Sequence, residues 1–458
     1  MSDTQLITLI VLFAYFAMLV VINWRERSKG NSENYSIGGR NVGYVATTGS
    51  LAAGIRDGAG LVLWISFGYT NGYAGLWLFL GFFLSFCLIA LFGPRARQIS
   101  MKRNYLTINQ MLRDDIGPYV EKLATLMMLV GALLFMAIQI YVAGNFFATL
   151  LGQPAWVGMA SIASVVGFYL FAGGYSAVVR TDTIQFFLII SLIIIPFFIP
   201  PAKADLTNYA SFFSMGKIDS LAFFLIGLLY PLAGGDIWQR IFSARSANVI
   251  RVSFPLAAPM LVVMTLSLIF LGFGIKQYLP DADPKQALFA FYQAELVSPY
   301  ILSYIAVVVM AITMSTLDTQ TYLFTSTAIK NIAPPSVAKD NDRYMHWARM
   351  VIVGALIFTT LIALTISDLI QFLFEAISLL YVLAPVFVFA GMGLFKRTTM
   401  VDRLIAIILI VSSASFVWMF VNKIFEKGFI LTMVPVAISL VGCCAVILAQ
   451  RTGLLRRA

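Results

Sequence analysis

Charge is scarce in this chain of 458 residues: Asp, Glu, Lys and Arg together make up 11% of it, against roughly 25% in soluble globular domains. Apolar residues reach 60% and the mean hydropathy is +0.89, so a single water-soluble core is excluded and a polytopic membrane protein is implied. Histidine occurs once, as His346 beside Trp347 at the edge of an apolar run. The three cysteines, Cys87, Cys443 and Cys444, all fall inside apolar runs. A vicinal pair on one helix closes no ordinary disulfide, and no zinc-ligand spacing occurs. Neither a Ser/His pair nor paired carboxylates support an intramembrane hydrolase. The chain is therefore not read as an enzyme and no catalytic residue is expected.

What is abundant is apolar sequence in lengths of about 20 residues, the span of a bilayer helix. Thirteen stretches qualify: 4–23, 44–69, 72–93, 118–149, 154–173, 181–201, 219–236, 252–277, 299–329, 346–367, 369–394, 402–422 and 429–450. The fold class expected is an all-α polytopic membrane protein with about thirteen transmembrane helices. The first run is followed by Arg25 and Arg27, the flank of a retained helix rather than of a cleaved signal.

Net charge is +10, from 31 Lys and Arg against 21 Asp and Glu. Assigning loops alternately to two sides puts 24 of these cations on one side, from Arg25 and Arg40 through Arg240 and Lys330 to Arg457, and 6 on the other, Lys203, Lys217, Lys276, Lys285, Lys423 and Lys427. The remaining one, Arg56, lies inside a span. This asymmetry predicts a plasma-membrane protein with its N-terminus outside and its C-terminus in the cytoplasm. It also accounts for the basic balance without nucleic acid.

Arg56, Asp57, Asp236, Asp318 and Glu375 lie within or near the ends of spans, and Asp182 opens one. Each such charge costs about 2.5–3.5 kcal/mol at a helix centre and requires a partner, a proton or a water-filled cavity. Intramembrane charges mark a candidate pathway; structural ion pairs and snorkelling ends are the alternatives. The run Ala52-Ala53-Gly54-Ile55-Arg56-Asp57-Gly58-Ala59-Gly60 places three glycines beside a charge pair, which predicts a helix break near mid-membrane. Such breaks expose carbonyls to a cation and are tolerated where they line a cavity; close helix packing through small residues is the alternative. Ser315 and Thr316 offer hard oxygen ligands, with Asp318 and Thr319 on the face of Ser315, although such hydroxyls also bond within their own helix. Pro231, Gly234, Gly235 and Asp236 predict a second interruption, and Trp238 beside it either stacks on a solute or anchors at the interface.

From about Tyr35 to Thr399 these motifs resemble the sodium:solute symporter family. The resemblance rests on Ser50 to Gly60, on Gly173-Gly174-Tyr175-Ser176-Ala177-Val178 with Thr181-Asp182-Thr183-Ile184-Gln185, on Gln239-Arg240 with Ala244-Arg245-Ser246, on Met314-Ser315-Thr316-Leu317, and on Pro385 with Lys396-Arg397-Thr398-Thr399. It implies a leucine-transporter-like core of two inverted five-helix repeats. The divisions are then 1–43 (an extra helix and loop), 44–201 (the first repeat), 202–398 (the second repeat) and 399–458 (two further helices and a tail). It also implies a sodium ion held by backbone carbonyls near Ile55, Gly58 and Ile312 and by the hydroxyls of Ser315 and Thr316, with Asp57 and Asp182 as coupling carboxylates.

Arg56 stands where relatives carry a small or hydroxyl residue, Glu375 where they are small and apolar, and Asp318 directly follows the sodium motif. With Gly234, Gly235, Asp236 and Trp238, these residues form the expected substrate site, tuned toward a charged or zwitterionic solute. The function expected is sodium-coupled uptake of a small organic solute, an amino acid or carboxylate, by alternating access. Two alternatives stand beside it. One is sodium-independent or proton-coupled transport with Arg56 replacing a cation; the other is a sensory module acting with a separate signalling partner.

Overall fold

Backbone N–H and C=O groups find no water in hydrocarbon, so a chain this apolar satisfies them within helices. The computed structural model describes residues 3–26, 38–171, 175–334, 336–337 and 340–453. Gly173 and Gly174 of the quoted motif, and the loop cations Arg27, Lys29, Lys339, Arg456 and Arg457, lie outside the described residues. Among the described residues the chain is helical, with one isolated bridge between Val42 and Ala244.

Numbering helices of eight or more residues, the order is α1 Asp3–Glu26, α2 Tyr44–Ile55, α3 Gly58–Thr70, α4 Leu76–Arg103, α5 Ile108–Asp115, α6 Pro118–Leu151, α7 Ala155–Leu170 and α8 Tyr175–Ile190. It continues with α9 Gly216–Ala233, α10 Gly235–Ser243, α11 Ala247–Tyr278, α12 Pro299–Asn331, α13 Asn341–Ala363, α14 Leu369–Tyr381, α15 Ala384–Gly391, α16 Thr399–Val421 and α17 Val434–Arg451. Eleven helical stretches among the described residues are long and apolar enough to cross a bilayer. Of two shorter apolar helices, Gly58–Thr70 ends one residue beyond the expected span 44–69 and Ala155–Leu170 falls within the expected span 154–173.

Several boundaries differ from the sequence expectation for local reasons. The expected span 72–93 continues to Arg103 through Pro94 and stops at Asn104, which adopts a left-handed φ of 57°. The span 369–394 divides into α14 and α15 at Val382–Leu383, where Pro385 in the first turn of α15 supplies no N–H to continue the ladder. The span 181–201 likewise ends its α-helix at Ile190 and passes through a tighter 3₁₀ turn, Ser191–Ile194.

Two helices organise the core. α6 packs on α7 and α12, and α12 also meets α1, α8 and α2. α12 is buried over 83% of its most apolar stretch, whereas α1 is buried over 22% of its own. α4 with α9 and α11 forms a second group, and α11 lies against α3 and α2. The two helix breaks, between α2 and α3 and between α9 and α10, therefore come to the centre of the molecule rather than its rim.

Candidate functional site

The first break is two residues long. Arg56 (φ −79°, ψ 105°) and Asp57 (φ −108°, ψ 163°) are extended between α2 and α3. Asp57 caps α3 by accepting the Gly60 N–H at 2.6 Å, which satisfies one of the orphan donors a helix start leaves. Gly58 is needed for a close approach: a Cβ there would lie 2.5 Å from the Thr313 methyl and 2.9 Å from Gln139 Oε1. In its absence the Gly58 N–H donates to Gln139 Oε1 at 2.7 Å.

α12 supplies the facing oxygens. Thr316 Oγ1 donates to the Arg56 carbonyl at 2.8 Å, and Ser315 Oγ donates to Asp182 Oδ1 at 2.7 Å. Asp182, fully buried on α8, also accepts from Ser50 Oγ at 2.7 Å and takes a longer contact of 3.5 Å from Thr319 Oγ1. The break in the second span, the hydroxyl pair of α12 and the carboxylate of α8 thus form one continuous oxygen-rich corner. Its donor set is hard oxygen, with no thiolate or imidazole, and the hydroxyl oxygens keep lone pairs free for a cation. These residues fit a small monovalent or hard cation. The carbonyl in contact with α12 is that of Arg56, lying between the Ile55 and Gly58 carbonyls expected from sequence; Ile312 is buried one turn before Thr316 on the same helix.

The side chain of Arg56 turns away from this corner. Its Nη2 donates to the Leu261 carbonyl at 2.7 Å and to Thr265 Oγ1 at 2.6 Å, both on α11, and its guanidinium lies 4.9 Å from the centroid of Phe79. Nε is buried and unpartnered. Arg56 and Asp57 both line a cavity of about 40 Å³, with Ile55, Trp64, Phe79, Tyr230 and Tyr381. A void of that size holds a few water molecules, so a solute of amino-acid size enters only when the surrounding helices part.

The second break is at Gly234 (φ −68°, ψ 111°), whose carbonyl accepts from the N–H of Ile237 and of Trp238. Asp236 does not line the cavity at the first break. It pairs with Arg240 at 3.0 Å, and Arg240 reaches onward to the Ser50 carbonyl at 3.0 Å and Asp182 at 3.4 Å. Gly234, Gly235 and Asp236 line a separate, smaller void of about 10 Å³ with Gln320, room for one water.

Other expected site residues lie elsewhere. Trp238 is neither a stacking platform nor an interfacial anchor: it is 1% exposed, packs against Phe92 and Phe387, and donates to the Leu232 carbonyl at 3.0 Å. Glu375 does not line the cavity either; it accepts from Gln371 on its own helix at 2.9 Å. Asp318 is buried and accepts from the Tyr169 hydroxyl of α7, with Oδ2 unpartnered. Arg240, counted from sequence among loop cations, is buried in α10. Ser50, Gln139, Tyr169 and Arg240 all contribute to the site or its frame without having been singled out as site residues.

The comparisons with known proteins bear on the fold and the family. A model of the sodium:solute symporter family matches residues 35–399. The sodium/proline symporter of Staphylococcus aureus (strain JH9) is 24% identical over 388 residues, covering 77% of this chain and 73% of that protein. Among solved structures, a Na⁺-coupled sialic acid symporter in a substrate-bound outward-open state superposes with a TM-score of 0.80 at 17% identity, over 96% of each chain. MHP1, a nucleobase-cation-symport-1 family transporter in a closed conformation, gives a TM-score of 0.59 at 14% identity over 91% of this chain and 93% of that one. The architecture is thus the all-helical leucine-transporter-like one, shared by transporters rather than enzymes. Seen with the match over 35–399, the chain belongs to the sodium:solute symporter family.

Proposed function

We propose that this protein uses inward sodium movement to drive uptake of a small charged or zwitterionic solute, an amino acid or carboxylate, across the plasma membrane. The observation that carries the reading is the contact of the α2–α3 break with α12 through Thr316 Oγ1 and the Arg56 carbonyl, beside Ser315 and Asp182. A sodium ion there would be held by the hydroxyls of Ser315 and Thr316 and by carbonyls of Ile55, Arg56 or Gly58 and of Ile312. Asp182 supplies negative charge nearby. Asp57, the residue directly after the shared carbonyl, ties the ion site to the cavity.

The cavity supports the solute class. The Arg56 guanidinium offers unused donors to a carboxylate, Asp57 offers an acceptor to an amine, and Trp64, Phe79, Tyr230 and Tyr381 supply apolar walls. Asp236, Asp318, Trp238 and Glu375 serve the frame around it. The repeats 44–201 and 202–398 would rock about this centre, with 1–43 and 399–458 outside them, the N-terminus outside and the C-terminus cytoplasmic. Sodium binding stabilises one arrangement and raises solute affinity, and the solute raises sodium affinity by the same factor.

Replacement of the cation by Arg56 is disfavoured by the direction of its side chain. It is engaged by Leu261 and Thr265 of α11, while the residue meets the hydroxyl pair through its carbonyl. Uptake of labelled amino acids and monocarboxylates into proteoliposomes, under an imposed sodium gradient, a proton gradient or neither, tests the reading. Accumulation driven by sodium and lost in Ser315→Ala/Thr316→Ala is the expected result; accumulation indifferent to sodium overturns it.

A further inference from the structure

On the lipid-facing flank, away from both helix breaks, α1, α7 and α13 enclose a groove of about 840 Å³. α7 contributes a floor of small residues, Ala160, Ala163 and Gly167, and α13 a wall that includes Leu356 and Ile357; Trp24 of α1 stands on the other side. The floor is low because of sequence: a Cβ at Gly167 would come within 3.3 Å of Leu356. α7 and α13 run antiparallel here, since Gly167 faces Leu356 and Phe171 faces Arg349. From Arg349 to Leu361 the groove follows α13 for about 18 Å at 1.5 Å per residue. That is close to half of a hydrocarbon core about 30 Å thick, the depth of one leaflet.

The two ends differ. At the mid-membrane end the lining is Ala160, Thr360 and Leu361. At the other end Arg349 sits half-buried with its guanidinium 4.9 Å from the Phe171 ring centroid. Its Nε is buried and unpartnered, and no carboxylate among the described residues pairs with it. Arg25 in the last turn of α1 and Arg343 in the first turn of α13 stand at the same end. An apolar channel of acyl-chain length that finishes in an uncompensated cation is complementary to an anionic lipid. A guanidinium so placed loses hydration that only a new acceptor restores, and its fork suits phosphate oxygens.

We propose that this groove is a binding site for one anionic phospholipid, its acyl chain along α7 and α13 and its phosphate on Arg349. The site lies in the leaflet whose side carries Arg25 and Arg343, as basic pockets between spanning helices do for acidic lipids.

Native mass spectrometry of the full chain, delipidated in neutral detergent and titrated with phosphatidylglycerol or phosphatidylcholine, tests this. The expected result is one phosphatidylglycerol retained per chain at least fivefold better than phosphatidylcholine. That preference should vanish in Arg349→Gln, persist in Arg349→Lys, and retention of either lipid should fall in Ile357→Trp, which fills the groove. If Arg349→Gln does not fold, the lysine and tryptophan variants still decide. Equal retention of both lipids, retention unaffected by Ile357→Trp, or a dimer whose interface covers Ile357 overturns the proposal.

Discussion

The two helix breaks use nearly the same letters and reach opposite ends. Each places an acidic residue just after an interrupted turn, Asp57 after Arg56 and Asp236 after Gly234-Gly235. At the first, the arginine precedes the acid by one residue, so the extended backbone points the two side chains apart: Arg56 goes to α11 and Asp57 caps α3. At the second, the arginine follows by four residues on α10, so Asp236 and Arg240 close on each other within one helical turn. The first break is left with a carbonyl shared with the α12 hydroxyl pair, an unused guanidinium Nε and a cavity; the second is closed by its ion pair. Spacing of the charge pair, not its presence, separates a break that opens on a cavity from one closed by an ion pair.

The sharpest way to break this comparison is to remove function at one site and stability at the other. Ser315→Ala/Thr316→Ala takes two oxygens from the first break, and sodium-stimulated uptake is expected to fall about 100-fold or more, measured as initial rate against sodium concentration in proteoliposomes. Thermal stability in detergent should also fall, because Asp182 Oδ1 and the Arg56 carbonyl each lose a buried donor at about 1–3 kcal/mol apiece, so uptake is compared per folded protein. Asp236→Ala acts chiefly on stability. It leaves Arg240 buried with its closest carboxylate gone, and losing one partner of a buried pair costs about 3–5 kcal/mol. The expected readout is a lowered melting temperature and poor yield. Unchanged stability in Asp236→Ala would show that Asp182 alone compensates Arg240, and the second break would no longer count as closed by its ion pair.

Glycines offer a smaller version of the same test. Gly58→Ala drives a Cβ to 2.5 Å from Thr313 and against Gln139, and overpacking of this kind costs about 1–3 kcal/mol; uptake should fall along with stability because the break itself must shift. At Gly235 the Cβ meets the terminal methyl of Met128 at 2.2 Å, a flexible end that rotates away. Gly235→Ala is therefore expected to melt closer to the parent and to retain most uptake.

Much of the frame was legible in the sequence. The glycines around Arg56-Asp57 gave the first break, and Ser315-Thr316 gave the facing hydroxyls, because both are local signals: backbone propensity and side-chain chemistry within one turn. The partners were not legible. That Ser315 bonds Asp182, that Gln139 receives the Gly58 N–H, and that Tyr169 meets Asp318 depend on helices separated by more than 80 positions. A single sequence carries no record of which faces meet. Trp238 illustrates the same limit from the other side. Its large ring beside a glycine pair suggested a solute platform, but the amphipathic turn of α10 rotates it into Phe92 and Phe387.

Glu375 gives the mildest test and separates the role of composition from that of direction. In sequence it is an acid in the middle of an apolar span, the same description that fits Asp57. On α14, however, Leu373, Phe374 and Ile377 face the cavity while Glu375 points off that face and is held by Gln371 four residues earlier. Glu375→Gln preserves an acceptor for that bond and removes the charge. Partly exposed substitutions of this kind stay within about 0.5 kcal/mol, so KM for solute and the half-saturating sodium concentration should each move by about twofold or less. Asp57→Asn, with the same change of one oxygen to nitrogen, should disrupt both. A large effect at Glu375 would mean that α14 turns this face inward during the cycle, and the division between lining and frame would have to be redrawn for the open state.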